Sequence, residues 1–459
     1  MDTRDFLHPS AHTCQCRAFC DIMDTKKGLI VMLFENISIL ADDFTVKHGQ
    51  YVGVKADKIA YIGSERPTED FGETYNGKGK LLMPGMVNAH SHAPMTLLRG
   101  YGENLSLQRW LNERIFPFED KLSDAAVAPA TRLAIAEMLR FGTVSFTDMY
   151  FFSQTMADAI LESGIKCNLS RGLTVFDDSD YEQTAAYKDN CDLLARYQNA
   201  GDGRLKIDLC IHGEYTTTPK MVEAVAKHAK QVDARVHIHL SETQSEHEEC
   251  KARHGMTPAA YFEKLGLFDQ PTTAAHCVWL DDSDFAILER RGVTVASCPV
   301  SNMKLASGFA RVPEMLKRGI HVALGTDSVA SNNNLNLFKE MFLFANVYKG
   351  ATHDPTVVTP AEALAAATVN GMRSQGRDDS GLVRVGMKAD LAVLNVDEPW
   401  MVPVNDWTTN LVYSAQGSDV CLTMVDGKVL YQDGEYKTID IEKVKFEAQR
   451  ATDAIRAQL

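Results

Sequence analysis

The stretch Pro84-Gly85-Met86-Val87-Asn88-Ala89-His90-Ser91-His92 closes an apolar, strand-like run that begins at residue 81. Side chains alternate across a strand, so His90 and His92 face one way and Ser91 the other. Further strand-like runs follow at 143–149, 166–173, 206–212, 235–242, 273–279, 294–302 and 321–327. Helical patterns at 125–140, 220–232, 283–291 and 313–317 fall between them, which is the alternation of a parallel sheet with crossover helices. Eight such units over about 300 residues predict an α/β fold of the TIM (β/α)8 barrel type, with its site at the C-terminal strand ends. The barrel is expected over 84–380.

Working outward, short β-like runs at 33–40, 51–55 and 58–63 precede the barrel and are too few to bury a core alone. Matching runs at 390–395, 420–425 and 428–431 lie at the other end, the last two joined by an Asp426-Gly427 hairpin turn. One small β-sandwich domain built from both chain ends, 32–83 plus 381–440, accounts for both sets. A C-terminal helix over 441–459 places Val444, Ala448, Ala451 and Ile455 on one face, with Asp440 as its cap. Residues 1–31 carry no apolar periodicity and read as a disordered leader, or as sequence ahead of a true start at Met32. Cys14, Cys16 and Cys20 fall there, without a second Cys/His pair at zinc-site spacing.

Of 459 residues, 47 are Lys or Arg and 61 are Asp or Glu, a net charge of −14 that repels phosphate backbones and anionic lipid. Neither nucleic acid nor a membrane is expected as a partner, and a homo-oligomer is left open. The apolar run 29–34 is too short to span a bilayer. Ten cysteines, most of them single within apolar runs such as Cys167, Cys210 and Cys277, fit a reducing cytoplasm.

The ionisable residues at the expected strand ends are His90, His92, His212, His239, Glu242, His276 and Asp327. His90 and His92 form a pair of imidazoles on one face, and His239 and Asp327 can close around the same point from other strands. Three nitrogens and one oxygen suit zinc and tolerate Fe(II) or Co(II). A single histidine is as readily a packed core residue, and the weight lies in the conjunction. His237 repeats the spacing and is placed deeper in the barrel; His228, His247 and His254 fall in helical patterns and read as surface residues. A metal would bring the pKa of water towards about 7. Glu242, three residues past His239, is then placed to carry the displaced proton, a helix N-terminal charge being its alternative reading. His276 and Asp327 can aim the resulting hydroxide.

The segments His90-Ser-His-Ala-Pro-Met-Thr-Leu-Leu-Arg-Gly100, His239-Leu-Ser-Glu-Thr243, Ala275-His-Cys-Val-Trp279, Pro299-Val-Ser-Asn-Met-Lys-Leu305 and Leu324-Gly-Thr-Asp-Ser328 carry a family resemblance. From Met32 to about Tyr431 the chain resembles the amidohydrolase superfamily, in the branch containing 5-methylthioadenosine/S-adenosylhomocysteine deaminases. Chlorotriazine hydrolases and melamine deaminases share most of these motifs. The resemblance implies that His90, His92, His239 and Asp327 hold one divalent metal per chain, zinc or Fe(II). No lysine ends the fourth strand to bridge a second metal. Glu242 would move a proton from water to a ring nitrogen, His276 would position hydroxide for addition at C6 of adenine, and Asp327 would help protonate the departing amine. Glu119 matches an acceptor for ribose hydroxyls, His212 a group that bonds the purine, and Arg171 one that reaches a carboxylate at the far end of S-adenosylhomocysteine. Trp110 is placed to cover the ring or thioether, with core packing as the alternative. Ser328 stands where the family usually has Gly, Gly213-Glu214 follow His212 in place of a small residue and Pro, and no second arginine for the carboxylate is found. These departures weaken the choice of S-adenosylhomocysteine over shorter substrates such as 5-methylthioadenosine, 5-deoxyadenosine or adenosine, all four remaining candidates. The expected activity is metal-dependent hydrolytic deamination of adenosine-type nucleosides to the inosine derivative and ammonia. Its alternatives are an aminohydrolase or dechlorinase of guanine or an s-triazine, and a non-catalytic binding scaffold.

Overall fold

The computed structural model describes residues 31–459, so residues 1–30 of the expected leader, with Cys14, Cys16 and Cys20, lie outside the described residues, while Val31 already belongs to a strand. Five strands come first: β1 (Val31–Leu40), β2 (Val46–Lys55), β3 (Lys58–Gly63), β4 (Glu73–Asn76) and β5 (Lys80–Pro84). Eight more form the barrel: β6 (Met86–Ser91), β7 (Thr143–Tyr150), β8 (Lys166–Arg171), β9 (Leu205–Ile211), β10 (Val236–Leu240), β11 (Thr272–His276), β12 (Thr294–Ser297) and β13 (Val322–Leu324). The last four, β14 (Leu391–Asn395), β15 (Val420–Val425), β16 (Lys428–Gln432) and β17 (Glu435–Tyr436), return to the first sheet.

β6 to β13 pair in sequence order, all parallel, with helices between them. Between β13 and β6 the ring is joined by a side chain: Asn88 Oδ1 accepts from Thr326 N at 2.9 Å, and its amide donates to Thr326 Oγ1 at 2.7 Å. Asp327 N adds a bond to His90 O at 3.0 Å. The first and last strands are thereby locked where the site sits.

The two chain ends form one nine-stranded mixed sheet, in which β5 joins the N-terminal part to β14. The sheet curls on itself, because the segment 386–389 just before β14 bonds back to β3 at the far edge, through an isolated bridge between Lys58 and Lys388. Phe34, Val52, Ile59, Leu391, Val393 and Leu422 fill the space enclosed. The hairpin turn Asp426-Gly427 connects β15 to β16, both residues having positive φ, 45° and 76°. A side chain at Gly427 would meet Ala56 O at 2.0 Å, so only glycine fits.

The run expected as one strand over 81–92 breaks at Gly85. β5 belongs to the sheet and β6 to the barrel, and a Cβ at Gly85 would lie 2.2 Å from Val144 Cγ1. The buried Lys166 ammonium, at the start of β8, pairs with Asp390 and with Asp426 Oδ1 at 2.7 Å, tying the barrel to the sheet. The terminal helix Ile441–Arg456 is capped by Asp440 and buries Val444, Ala448 and Ile455 against the helix Asp124–Arg140. Among the described residues no helix is long and apolar enough to cross a membrane.

Three histidines expected on the surface are not there. His228 is buried with Nδ1 3.1 Å from Tyr181 Oη, His247 is buried beside Ser241, and His254 is partly covered with Nε2 2.9 Å from Glu214 Oε1. His228 shows the reason, since it follows Met221 and Val225 at helical spacing and so lies on the apolar face turned to the barrel.

Candidate active site

His90 lies in β6 and His92 immediately after it; His239 lies in β10, His276 ends β11, and Asp327 follows β13. Ser241, His276, Cys277 and Asp327 have φ of 48°, 71°, 49° and 58°. Non-glycine residues seldom adopt this left-handed region, and such strain collects at functional sites. Here it turns the chain sharply at three strand ends, so that side chains of different strands converge.

His90 Nε2 and His92 Nε2 lie 3.5 and 3.3 Å from Asp327 Oδ1, and His92 Nε2 lies 3.4 Å from His239 Nε2. Ligand atoms of His90, His239 and His276 fall within 4.8 Å of one another, as do those of His90, His92 and Asp327. Every Nδ1 of the four histidines is engaged outside the centre: His90 with His237 Nε2 at 3.0 Å, His92 with Met149 O at 2.7 Å, His239 with His212 O at 2.6 Å and His276 with Asn302 Oδ1 at 2.9 Å. At His92 and His239 the partner is a carbonyl, so Nδ1 carries the hydrogen and Nε2 presents a lone pair inward. That is the tautomer a metal ligand needs. His90 Nε2 is fully buried without a hydrogen-bond partner. These donors fit one divalent ion of the zinc or Fe(II) kind.

A further layer holds this cluster, and sequence inspection did not find most of it. Asp327 Oδ2 accepts from Ser301 Oγ at 2.5 Å and Ser331 Oγ at 3.0 Å, which leaves Oδ1 for the histidines. The buried Glu340 grips both serine-bearing segments, accepting from Val300 N at 3.2 Å and from the Asn332 amide at 2.6 Å. Asp148 in β7 accepts from Ser91 Oγ at 2.9 Å and Ala93 N at 2.7 Å, on either side of His92. Its signal was present, an acid at the end of an expected barrel strand. Ser301 lay within the quoted segment Pro299–Leu305 but without a role, and Ser331 and Glu340 had no signal, because their roles depend on segments far apart in the chain.

Burial depresses His90 to a pKa of about 3 and His239 far below its usual range, so both stay neutral. At His92 burial acts the same way, but the Asp327 carboxylate outweighs it and raises the ring to about 9. Asp327 in turn is held well below the carboxylate range by His90 and His92, against its burial. Burial raises the Glu242 carboxyl, whose Oε2 lies 4.0 Å from His276 Nε2.

The cluster opens into a cavity of about 420 Å³, lined largely by apolar and aromatic side chains. His92, His239, Glu242, His276 and Asp327 form part of its wall, as do three residues expected to touch substrate, Trp110, Glu119 and His212. Trp110 and Glu119 come from consecutive helical segments, Leu107–Trp110, Leu111–Ile115 and Phe116–Glu119, of which the middle one is a wide π turn. Wall residues Leu107, Leu111, Ile115 and Glu119 recur at steps of four, a spacing the wider turn accommodates. Burial raises Glu119 to about 7, opposed by a 2.5 Å bond from Tyr150 Oη. His212 is depressed to about 4 by burial, and its Nδ1 lies 3.2 Å from Thr216 Oγ1.

Arg171 is not itself among the residues lining the cavity, although it adjoins the wall residues Phe151 and Gly172. Its Nε donates to Asp189 Oδ2 at 3.0 Å and its guanidinium stacks on Phe151 at 5.1 Å. The acid eighteen residues on neutralises it. His237, by contrast, stands where it was expected, buried behind His90.

A (β/α)8 barrel with a His/Asp cluster at its strand ends, capped by a sheet from both termini, is matched by the amidohydrolase family profile over residues 81–430, and the chain belongs to that family. The chain is 41% identical over 419 residues to the 5-methylthioadenosine/S-adenosylhomocysteine deaminase of Dictyoglomus thermophilum, covering 91% of this chain and 97% of the relative. It is 40% identical over 415 residues to the 5'-deoxyadenosine deaminase of Methanosarcina mazei, covering 90% and 95%. Among solved structures, an adenosine deaminase from Xanthomonas campestris with bound zinc superposes with a TM-score of 0.86 at 32% identity, covering 93% of this chain and 98% of that one.

Proposed function

We propose that this protein is a metal-dependent hydrolytic deaminase of adenosine-type nucleosides, converting them with water to the inosine derivative and ammonia. The observation that carries the reading is one cavity whose wall holds the His/Asp cluster, a buried acid–base pair and, separately, the Glu119 carboxyl. His90, His92, His239 and Asp327 would hold the metal, zinc or Fe(II), and the ion would supply ionised water near neutral pH. Glu242, dehydrated and beside His276, accepts a proton from water and returns it to the ring nitrogen next to C6. His276, fixed through Asn302, holds the attacking oxygen in line with C6. A C6–O bond forms, the C6–N bond breaks, and Asp327 helps deliver the proton with which the amine leaves as ammonia. His212, neutral at physiological pH, bonds the purine edge, Trp110 covers the ring, and Glu119 accepts the ribose hydroxyls.

Glu119 favours this reading over a guanine or s-triazine aminohydrolase, since a small ring has no vicinal hydroxyls for a buried carboxylate. The described cysteines are all unpaired, in keeping with a reducing cytoplasm. The test is a deamination screen of zinc-loaded protein with adenosine, 5-methylthioadenosine, 5-deoxyadenosine, S-adenosylhomocysteine, guanine and melamine, read by absorbance and ammonia release. Turnover of adenosine derivatives above the free rings is expected; turnover confined to guanine or melamine, or none at all, rejects the reading.

A further inference from the structure

Glu214 belongs to the Gly213-Glu214 pair by which the chain departs from the family pattern after His212, and no step of the deamination above uses it. It opens the short helical turn Glu214–Thr216, and its side chain is only 1% exposed. A buried carboxylate needs partners. Glu214 finds them in the last two residues of the helix Gln244–His254: Oε1 accepts from Arg253 Nε at 3.2 Å and lies 2.9 Å from His254 Nε2, and Oε2 accepts from Arg253 Nη2 at 2.6 Å. Two bonds from one guanidinium fix direction as well as distance. Arg253 Nη1 is held in turn by Glu249 at 3.1 Å, and the His254 ring packs on Tyr261 with centroids 4.4 Å apart.

Both segments joined in this way carry parts of the site. On one side, His212, Tyr215 and Thr216 line the cavity, and the His212 carbonyl accepts from His239 Nδ1 at 2.6 Å. On the other, the helix starts two residues past Glu242. Glu246, in its first turn, accepts from Ser241 N at 2.9 Å and from Glu242 N at 2.8 Å, which fixes Glu242 to the helix. Between His212 and the turn stands Gly213, which has no side chain to restrain the backbone. Glu214 restrains it from the far end of the helix.

We propose that Glu214 is a positioning residue for the deamination: through Arg253 and His254 it sets His212 and Tyr215, which face the purine, against the helix that carries Glu242. This assignment rests on the nucleoside deaminase reading above. The proton that Glu242 returns to the ring nitrogen crosses a gap whose width is set by these two segments. A displacement of about 1 Å between them costs up to about 10²-fold in rate.

The experiment measures kcat and KM for adenosine and 5-methylthioadenosine on the zinc-loaded full chain and on its Glu214→Gln, Arg253→Met, Arg253→Lys and Glu214→Gln/Arg253→Met variants, with denaturant unfolding of the same proteins. Glu214→Gln and Arg253→Met should each lower kcat/KM by about 10-fold or more. The double variant should fall no lower than the worse single one, because both changes remove the same contact. Arg253→Lys keeps a cation for Glu214 and should recover part of the loss. The Arg253 side chain is 40% exposed, so its two variants decide the matter even where the buried Glu214 change prevents folding. Wild-type kcat and KM in Arg253→Met, with only the unfolding midpoint lowered, would show a purely structural tie and overturn the proposal, as would losses that multiply in the double variant. A wild type that turns over no adenosine derivative rejects the deaminase reading and the proposal with it, whereas wild-type kinetics in the variants rejects the proposal alone.

Discussion

Asp148 provides a quantitative test of how the metal cluster is held. Its Oδ2 alone accepts both bonds, from Ser91 Oγ at 2.9 Å and Ala93 N at 2.7 Å, while Oδ1 is buried without a partner. The next residue, Met149, receives Nδ1 of His92 through its carbonyl at 2.7 Å, so the end of β7 grips residues 91 to 93 at three points. Asp148→Ala removes two of them. Ser91 Oγ retains Thr147 O at 3.1 Å, but Ala93 N–H is left buried and unpaired, a cost of about 1–3 kcal/mol. Spread into the placement of His92, that is a loss of about 10- to 100-fold in metal affinity, the usual range for a residue orienting a ligand. Asp148→Asn behaves differently, because an amide oxygen at the Oδ2 position keeps both donors. Its metal affinity should stay within about threefold of wild type, well inside the loss expected for a mispositioned ligand. Zinc affinity is measured by competition with a chromophoric chelator, with denaturant unfolding of the zinc-loaded proteins as the stability control. Equal losses in the two variants would show that the charge of Asp148 matters and its grip does not; wild-type affinity in the alanine variant would remove both roles.

Three further outcomes follow from the site. Glu242→Gln should bind zinc as tightly as wild type yet lose at least about 10² in kcat, as for a missing general acid–base; near-full rate would remove the proton-transfer role. Glu119→Ala should raise KM for nucleosides while sparing any free-base activity, and equal losses on both would remove the ribose assignment. Burial raises Glu340 to about 8, so between the ordinary glutamate pKa and 8 the folded protein keeps a proton that the unfolded chain releases. That contribution to stability is present at low pH and lost as pH rises through 8. The stability of wild type relative to Glu340→Gln should therefore fall by roughly 3–5 kcal/mol between pH 5 and pH 9, measured by denaturant unfolding at both. A difference independent of pH would mean that Glu340 is ionised throughout.

Much of the barrel was legible because its signals are local. Strand-like runs alternate with helical ones, and alternation within a strand puts His90 and His92 on one face whatever the rest of the chain does. Histidines and acids at strand ends then mark the active face of a barrel before any contact is known. The break at Gly85 had a local signal in the Pro84-Gly85 pair, but the flanking runs are both strand-like, and the approach of Val144 shows where one sheet ends and the next begins. Histidine burial on helices was half legible: the spacing of His228 from Met221 and Val225 carried it, but a histidine is at home on either face.

What the sequence by itself determined is the set of groups able to bind a metal and move a proton, and the strand ends from which they project, because period and residue type are properties of a few neighbouring residues. What only the tertiary structure decided is which groups those residues answer to. Ser301 and Ser331 select the free oxygen of Asp327, Glu340 fixes both serine segments, and Asp189 pairs with Arg171. Each depends on side chains from separate elements meeting within about 3 Å, and hydrogen bonds and ion pairs are short-ranged and directional enough that residue type alone leaves the partner undetermined.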